Sequence, residues 1–396
     1  MAFPERFSNL PEYAFPRLRA LLDHHQPGAE PVNMTIGEPR HAFPEFVGPA
    51  IAASLAEFGR YPTNEGTPEL LGAIAGWIRR RYGVDLPQDR LMVLNGTREG
   101  LFNAALALIP ERKRGAQPVV LIPNPFYQVY AVAALSAGAE PVFVPATAAG
   151  GHLPDFASLP PDVLDRTAVA YLCSPANPQG AVASEGYLRD LLALADKHDF
   201  QIFADECYAE IYRDAPPPGI LSVAAAVGAD PERAVAFHSL SKRSNLPGLR
   251  SGFAAGGPQS IRLMRQLRAY AGAPLPMPLQ HAAALTWADE AHVIENRALY
   301  NAKFDLAAEV FGSLQGYSTP AGGFFLWLPV PPEIGTGEAA ALKLWQETGV
   351  RVLPGGYLGR AVGGTNPGDG YIRVALVTPL DDIARGLTAI RDTIYR

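Results

Sequence analysis

The sequence contains little cysteine, no long apolar run and no excess of positive charge. Its two cysteines, Cys173 and Cys207, are too few for a disulfide framework and lack the spacing of a metal site, so we expect a reducing cytoplasm and no metal. A net charge of −6 offers no basic face to a nucleic acid. No run of about 18 apolar residues predicts a membrane span, and the segment 1–13 lacks the basic start and apolar centre of a secretory signal.

The composition that remains is that of a globular protein. Hydrophobic residues make up 48% of the 396 residues and charged residues 18%, with no internal repeat and no low-complexity segment. This length exceeds one typical domain and predicts a large domain with a smaller second lobe. The first thirty or so residues are interrupted by proline and only weakly periodic, so we interpret them as an arm that packs elsewhere, for instance on another subunit.

Short apolar runs alternate with helical patterns through the middle of the chain. Strands are predicted at Arg90–Asn95, Val119–Ile122, Val142–Val144, Ala168–Cys173, Gln201–Ala204, Ala234–His238 and Gly252–Ala255, and helices at Arg98–Ile109, Phe126–Ala137 and Glu185–His198. Apolar runs of this length, separated by helices, indicate a mostly parallel sheet covered on both faces. Because such sheets bind ligands at the carboxyl ends of their strands, we expect the site in the loops that begin near Gly96, Pro123, Ser174, Asp205 and Ser239.

From about Pro276 the pattern changes to that of a second, smaller α/β lobe. Its predicted helices are Leu279–Thr286, Ala291–Phe311, Glu338–Glu347 and Leu380–Tyr395, and its predicted strands are Phe324–Leu328 and Tyr371–Val374. The resulting division has an N-terminal arm with part of the small domain at 1–45, a large domain at 46–285 and a small C-terminal domain at 286–396.

The clearest chemical signal is a lysine at a strand end. Lys242 follows the hydroxyls of Ser239 and Ser241, and Arg250 lies a short loop beyond it. A buried lysine with a lowered pKa can form a Schiff base with an aldehyde. Two hydroxyls and an arginine can hold a phosphate. Taken alone, a solvated Lys–Arg pair is the simpler interpretation of this stretch.

Two more strand ends carry polar groups that suit a nitrogen-containing ring. Asp205 follows an apolar strand, where a carboxylate requires a cation such as a protonated pyridine nitrogen. Tyr208 follows closely enough to reach an oxygen of the same ring. Asn177 stands between two prolines, which fix the direction of its amide. In isolation, a helix N-cap at Asp205 and a plain turn at Asn177 are equally good interpretations.

A glycine turn and an aromatic residue complete the set. Gly96, Thr97 and Arg98 lead from a strand into a helix, whose first N–H groups can hold a phosphate. Tyr127 offers a ring that can stack on a pyridine. A capped turn and a core tyrosine are the alternatives for each feature alone. The order and spacing of all these signals are more specific than any one of them.

In this order the motifs resemble those of the class I aminotransferases, the aspartate aminotransferase superfamily of pyridoxal 5'-phosphate (PLP) enzymes. The matching stretches are TIGEP (35–39), YPTNEGTPEL (61–70), NGTREGL (95–101), NPFYQVY (124–130), SPANPQG (174–180), ADECYAEIY (204–212), HSLSKRSNLPGLRSG (238–252), GGFFLWLP (322–329) and YIRVAL (371–376). The resemblance covers the chain from about residue 34 onward. It implies the PLP-dependent transferase fold type I, α/β with a mostly parallel seven-stranded sheet, and a homodimer with shared active sites.

The resemblance also implies a role for each matching residue. Lys242 would form the internal aldimine and carry the proton between substrate and cofactor, while Asp205 would pair with the pyridinium nitrogen. The other cofactor contacts would be Asn177 and Tyr208 at the 3-oxygen, Tyr127 on the ring face, Gly96, Thr97, Arg98, Ser239, Ser241 and Arg250 at the phosphate, and Tyr61 at the phosphate of the other subunit. Arg373 would clamp the substrate α-carboxylate, with Asn177 and the backbone at Gly37 beside it.

Substrate specificity is expected at a second carboxylate. One branch of aspartate enzymes uses an arginine in the stretch after the lysine, and residues 269–296 contain none. The segments 10–22, 35–41 and 239–253 instead resemble bacterial succinyldiaminopimelate aminotransferases, which implies amino transfer from glutamate in lysine biosynthesis. Arg40, His41, Arg98 and Arg243 are the basic residues near these motifs that can meet a distal acid, and surface charge is the alternative for each.

Two other classes of protein share these motifs. PLP lyases that eliminate at the β-carbon keep the lysine, aspartate and arginine, but they release pyruvate or ammonia instead of converting the cofactor with glutamate alone. A regulator on the same scaffold would carry a DNA-binding domain ahead of the match, for which the stretch before residue 34 leaves no room. We therefore favour an aminotransferase, with aspartate, an aromatic amino acid or alanine as the alternative substrate.

Overall fold

The computed structural model describes residues 5–8, 10 and 12–396. Its helices are α1 (Ala14–Leu22), α2 (Val47–Ala53), α3 (Pro68–Tyr82), α4 (Thr97–Leu108), α5 (Val129–Ser136), α6 (Pro161–Arg166), α7 (Glu185–His198), α8 (Ile220–Val227), α9 (Leu240–Arg243), α10 (Pro258–Ala271), α11 (Met277–Ala288), α12 (Ala291–Phe311), α13 (Gly337–Thr348) and α14 (Leu380–Ile394). Its strands are β1 (Val32–Asn33), β2 (Leu91–Leu94), β3 (Val119–Asn124), β4 (Glu140–Pro145), β5 (Thr167–Cys173), β6 (Gln201–Asp205), β7 (Ala234–Ser239), β8 (Gly252–Ala255), β9 (Phe325–Pro329), β10 (Val350–Arg351), β11 (Leu353–Pro354) and β12 (Tyr371–Ala375). None of these helices is long and apolar enough to cross a membrane.

The largest sheet has seven strands in the order β2-β8-β7-β6-β5-β3-β4. Neighbouring strands run parallel except at β8, which is antiparallel to both β2 and β7. The central strands are buried along almost their whole length and consist mainly of apolar residues, as expected for a sheet covered on both faces. One core packs on each face of this sheet. The predicted mostly parallel seven-stranded sheet is confirmed.

The carboxyl ends of three central strands meet at one edge. Cys173 at the end of β5 pairs in register with Asp205 at the end of β6. Ser239 ends β7 and pairs with Gly252 at the start of β8. Because these strands lie side by side, the loops that follow them converge, and this edge carries the site described below.

A second lobe is built on the antiparallel sheet β11-β12-β9. Its core includes Phe304 of α12, Leu344 of α13 and Leu387 of α14. The first strand of the chain joins this lobe, because β1 pairs in parallel with β10 through Val32 and Val350. The domain limits 1–45, 46–285 and 286–396 stay a prediction.

The predicted arm does not pack elsewhere at α1, which packs on its own chain. Ala14, Leu18 and Leu22 recur every fourth residue, so they share one helix face, which packs on Trp345 and Leu353 of the same chain. Pro16 does not prevent this helix, since proline is tolerated in the first turn. This helix therefore belongs to the core of its own chain. Residues 1–4, 9 and 11 of the predicted arm lie outside the described residues.

Seven helices go beyond the predicted set, namely α1, α2, α3, α6, α8, α9 and α10, and α5 is shorter than predicted. The sequence carries ordinary signals for α3, because Thr67 accepts a hydrogen bond from the backbone N–H of Leu70 and Gly83 ends the helix at a φ of 67°. Likewise α10 begins with a proline at its first position. In contrast, α5 starts three residues later than predicted, because the N–H of Phe126 is bonded to the carbonyl of Leu358.

Candidate active site

A cavity of about 380 Å³ lies where the carboxyl ends of β5, β6 and β7 face the second lobe. This volume is within the range of small-molecule sites. The predicted site residues that line it are Gly37, Thr97, Arg98, Tyr127, Asn177, Asp205, Tyr208, Ser239, Ser241, Lys242, Arg250 and Arg373. Gly96 lies beside the cavity against Arg250, whereas Tyr61 is fully exposed and does not line it.

Lys242 is the amine at the centre of the cavity. It lies on the short helix α9, whose start is capped by the Ser239 hydroxyl at 3.1 Å from the backbone nitrogen of Ser241. Its Nζ donates a hydrogen bond to the carbonyl of Gly37 and lies 5.3 Å from the ring centre of Phe324. Burial, with a smaller effect of nearby arginines, lowers the pKa of Lys242 to about 8. A neutral, nucleophilic amine is therefore accessible close to neutral pH.

Asp205 is a buried carboxylate without an ion-pair partner among the described residues. It is 5% exposed and accepts a hydrogen bond of 2.7 Å from the hydroxyl of Tyr130. The backbone N–H of Cys207 contacts its other oxygen at 3.3 Å. A buried carboxylate is costly unless a cation compensates it. The site thus fits a protonated ring nitrogen, as PLP carries.

Tyr208 and Asn177 stand beside this position. Burial raises the pKa of the Tyr208 phenol well above its usual range, so its hydroxyl stays protonated and can donate a hydrogen bond. The ring of Tyr208 packs edge-on against Phe324 at 5.2 Å. Asn177 lines the same cavity, and its amide oxygen faces Arg373. Both side chains can therefore serve a ring oxygen or a substrate.

The phosphate position is built from backbone and hydroxyl donors. Gly96 precedes the first turn of α4 with a φ of 82°, and a Cβ added there would lie 1.9 Å from Nη2 of Arg250. Glycine suits this point, because the positive φ is strained for other residues and an added Cβ would displace the Arg250 guanidinium. Across the cavity, the hydroxyl of Ser239 lies 2.8 Å from that of Ser241. Helix N–H groups, two hydroxyls and a guanidinium form a site suited to a phosphate.

Arg98 and Tyr127 form a pair at the wall of the cavity. Nε of Arg98 donates a hydrogen bond of 2.9 Å to the Tyr127 hydroxyl, and this bond raises the pKa of Arg98. Burial raises the pKa of Tyr127. The Tyr127 ring packs edge-on against Tyr130 at 5.7 Å, next to the hydroxyl that contacts Asp205. Tyr127 thus lies where a ring held by Asp205 could stack on it.

Arg373 brings a buried guanidinium from the second lobe. It is 4% exposed on β12 and donates hydrogen bonds to the Asn177 amide oxygen at 2.9 Å and to the carbonyl of Thr35 at 2.8 Å. Its Nε is buried without a partner, and burial lowers its pKa to about 10. The ring of Phe325 lies 4.2 Å below the guanidinium carbon. An unsatisfied, preorganised arginine of this kind fits a carboxylate ligand.

Several site residues have neighbours that the sequence did not identify. Tyr130 holds Asp205 and stacks on Tyr171 at 4.4 Å, and Cys207 contacts the Thr97 hydroxyl at 3.1 Å. Thr35 and Phe325 support Arg373. All lie within or next to the matching stretches quoted above except Tyr171, but nothing in their local pattern identifies their partners.

Two of the residues that were candidates for binding a distal carboxylate point away from the cavity. Arg243 is 2% exposed and contacts Glu290 at 3.0 Å and the carbonyls of Thr286 and Asp289, so it is neither surface charge nor a cavity residue. His41 faces α12, where it contacts Asn296 and Lys303. Arg40 is exposed and does not line the cavity. Arg98 is the remaining candidate.

The known proteins that this chain resembles are aminotransferases. The family model for class I and II aminotransferases matches residues 29–390. An LL-diaminopimelate aminotransferase from Dehalococcoides mccartyi is 33% identical over 398 residues, with 98% of each chain covered. Its counterpart from Moorella thermoacetica is 32% identical, with 98% of this chain and 97% of the relative covered.

Solved structures agree with this match. An aminotransferase from Neisseria meningitidis superposes with a TM-score of 0.93 at 37% identity, covering 98% of this chain and 99% of the other. The aminotransferase AspB from Helicobacter pylori has a TM-score of 0.89 at 33% identity, with 99% of each chain covered.

Proposed function

This chain belongs to the class I and II aminotransferase family and depends on PLP, and we propose that it exchanges an amino group between N-succinyl-LL-2,6-diaminopimelate and 2-oxoglutarate in lysine biosynthesis. The observation that carries the amino transfer is the convergence of Lys242, Asp205 and Arg373 on one cavity. The cavity also offers one further cation, Arg98, for a distal acid.

Each of these residues has a task that follows from its surroundings. Bound PLP supplies an electron-withdrawing ring that stabilises negative charge at the substrate α-carbon. Asp205 keeps the proton on the ring nitrogen, and Arg373 binds the α-carboxylate through two N–H groups. Lys242, with its pKa of about 8, would take the proton from the substrate α-carbon and deliver it to the cofactor. The second lobe, which carries Arg373, excludes water when it closes on a carboxylate.

The substrate proposal depends on Arg98. Among the described residues that line the cavity, the cations are Arg98, Lys242, Arg250 and Arg373. Three of them have tasks at the α-carbon, the phosphate and the α-carboxylate. Among the described residues, only Tyr127 is hydrogen-bonded to the Arg98 guanidinium, through Nε, so its other nitrogens are available to a carboxylate at the far end of a long substrate.

Free LL-diaminopimelate is the second candidate. Relatives of 30–33% identity over nearly the whole chain are named as LL-diaminopimelate aminotransferases. The free compound carries an ammonium group at its far end, where the succinylated compound carries an amide and an additional carboxylate. A cation in the cavity wall favours the more acidic of the two, and this difference can be measured directly.

The proposal is tested by following the visible absorbance of the purified enzyme while each amino donor is added. L-Glutamate and N-succinyl-LL-2,6-diaminopimelate are both expected to bleach the band of the lysine-bound cofactor, with free LL-diaminopimelate less effective. Bleaching by glutamate and the free compound alone would favour the second candidate. Bleaching by glutamate alone would remove the whole diaminopimelate proposal. Release of pyruvate or ammonia without conversion of the cofactor would indicate a lyase.

A variant pair locates the distal acid. We expect Arg98→Gln to lower kcat/KM for N-succinyl-LL-2,6-diaminopimelate by about tenfold to a hundredfold, because the loss of a charge-assisted hydrogen bond usually weakens binding by this factor. Arg40→Gln, which removes an exposed arginine outside the cavity, should leave kcat/KM unchanged. Equal losses in both variants, or none in either, would exclude Arg98 as the determinant.

We also propose that the enzyme is a homodimer in the cytoplasm. The side chain of Tyr61 is fully exposed, and Leu55 and Phe58 of the same segment are more than half exposed. A group of exposed apolar side chains in one segment is typical of an interface. Such an interface would let Tyr61 reach the phosphate of the partner's cofactor.

A further inference from the structure

Lys303 is a buried amine that the amino-transfer chemistry does not use. It lies on α12, is 3% exposed, and its Nζ lies 2.7 Å from Nε2 of His41. In the described part of the chain no carboxylate pairs with it, and burial lowers its pKa to about 8. An amine buried without a carboxylate costs stability. Its neighbours indicate the role of this amine.

Lys303 starts a chain of hydrogen bonds that ends at the catalytic lysine. Because Lys303 donates to Nε2 of His41, the imidazole proton is on Nδ1, which donates to the Asn296 amide oxygen at 3.0 Å. The amide nitrogen of Asn296 donates to the carbonyls of Lys242 and Arg243, each at 3.3 Å. Each of the three side chains is hydrogen-bonded to the next, so they hold one another in position.

His41 also ends the segment whose carbonyls accept hydrogen bonds from Arg373 and Lys242. This segment, Thr35–His41, gives its Thr35 carbonyl to Arg373 and its Gly37 carbonyl to Lys242. The chain of hydrogen bonds therefore holds this segment at one end and the backbone of Lys242 at the other. The same face of α12 serves both, since Asn296, Tyr300 and Lys303 recur at helical spacing.

Aromatic packing reinforces this connection. The Tyr300 ring lies 4.6 Å from the His41 ring and stacks on Phe324 at 5.3 Å with an interplanar angle of 24°. Phe324 in turn lies below Nζ of Lys242. A displacement of His41 would thus disturb the floor of the cavity as well as the segment Thr35–His41.

We propose that His41 and Lys303 are positioning residues that fix the segment Thr35–His41 against α12, and thereby set where the substrate α-carboxylate binds relative to Lys242. Neither side chain lines the cavity. Asp205, Ser239 and Arg250, which serve the cofactor, lie on other elements. Loosening the segment therefore affects Arg373 and the substrate before it affects the cofactor. The proposal rests on the amino-transfer chemistry and not on the identity of the long substrate.

Variants of the holoenzyme test this with L-glutamate as the probe. We expect Lys303→Met and His41→Leu each to raise the KM for L-glutamate about tenfold, with the cofactor content unchanged in the absorbance spectrum. The double variant should be no worse than the poorer single variant, because both changes break the same chain of hydrogen bonds. His41→Gln, which keeps an acceptor for Lys303, should recover most of the loss.

Lys343→Met is the matched control, since Lys343 is an exposed lysine paired with Glu347 on α13. It should keep the KM of the native enzyme. An unchanged KM in Lys303→Met, or a fall in cofactor content that accounts for the whole loss, would reduce the network to a structural role and overturn the proposal. So would additive effects in the double variant. If His41→Leu does not fold, Lys303→Met compared with His41→Gln and Lys343→Met decides the question.

Discussion

Two buried lysines have the same lowered pKa but different neighbours. Burial lowers the pKa of both Lys242 and Lys303 to about 8. For Lys242 the arginines at positions 373 and 250 contribute to this shift, whereas burial alone acts on Lys303. The first amine lies in the cavity as a nucleophile, and the second is bonded to an imidazole. Burial lowers the pKa of a lysine, but its contacts decide what the amine does.

The pKa of Lys303 gives a prediction about stability. Its pKa of about 8 in the folded state is below the 10.5 of an exposed lysine, so between these pH values the unfolded chain binds a proton that the folded chain does not. The contribution of Lys303 to the unfolding free energy therefore rises from pH 8 to 10.5, and its full cost is present below pH 8. Relative to Lys303→Met, the native enzyme should gain thermal stability across this window and show a constant difference between pH 7 and 8. Unfolding temperatures of both proteins at each pH measure this.

The control for this experiment is again Lys343→Met, which removes an exposed lysine. The difference between it and the native enzyme should change little across the same window. A difference for Lys303→Met that stays flat from pH 8 to 10.5 would mean that Lys303 is not desolvated in the folded protein.

At the scale of elements, the phosphate position depends on two turns that approach each other. The turn between β2 and α4 contains Gly96, and the turn before β8 contains Arg250, which has a φ of 58°. A Cβ at Gly96 would displace the guanidinium of Arg250. The two turns are far apart in sequence, and they meet because β2 and β8 are neighbours in the sheet. The sheet order thus creates the proposed phosphate site.

This contact predicts different outcomes for two glycine substitutions. Gly83→Ala changes a residue with a φ of 67° that has open space around it, so it should cost roughly 1–2 kcal/mol of stability and leave PLP affinity unchanged. Gly96→Ala combines a positive φ with the displacement of Arg250, so we expect PLP affinity to fall at least about tenfold. Titration of the apoenzyme with PLP, together with unfolding temperatures, separates the effects. Equal PLP affinity in the two variants would show that the approach of Arg250 to Gly96 is unimportant for the cofactor.

At the scale of the whole molecule, the cavity of one chain contains every predicted site residue except Gly96 beside it and Tyr61. Tyr61 is fully exposed, in a segment with further exposed apolar side chains. If the proposed dimer brings Tyr61 to the partner's cofactor, then each active site is complete only when two chains associate.

Mixing two inactive variants tests this arrangement. Lys242→Ala removes the amine, and Tyr61→Ala should weaken PLP binding in the partner's site. In a mixed dimer, one site carries both changes and the other carries neither, so we expect activity at limiting PLP to rise when the two proteins are unfolded and refolded together. Each variant refolded alone is the control. If a mass measurement shows that mixed dimers are present but activity does not rise on mixing, Tyr61 is excluded from the partner's site.

The sequence alone predicted the central sheet and most of the residues around the cavity. Apolar runs that end in Asp205, Ser239 or the Asn177 loop are local signals, and parallel strands place their carboxyl ends together. Lys242 and Arg373 were predicted to be site residues from the motifs that contain them. The structure places both in the cavity. The helices α3 and α10 also had local signals, in a cap and a starting proline, so they were predictable in principle.

Only the tertiary structure decided which distant side chains meet. Tyr130 contacts Asp205 across 75 residues of sequence, and His41 contacts Lys303 across 262. Arg243 lies beside Lys242 in sequence, yet its side chain is buried against Glu290 at the start of α12. Periodicity and turn residues specify local conformation, because they act over one or two turns of chain. Partners at such separations depend on how complete elements pack, and no local pattern contains that information.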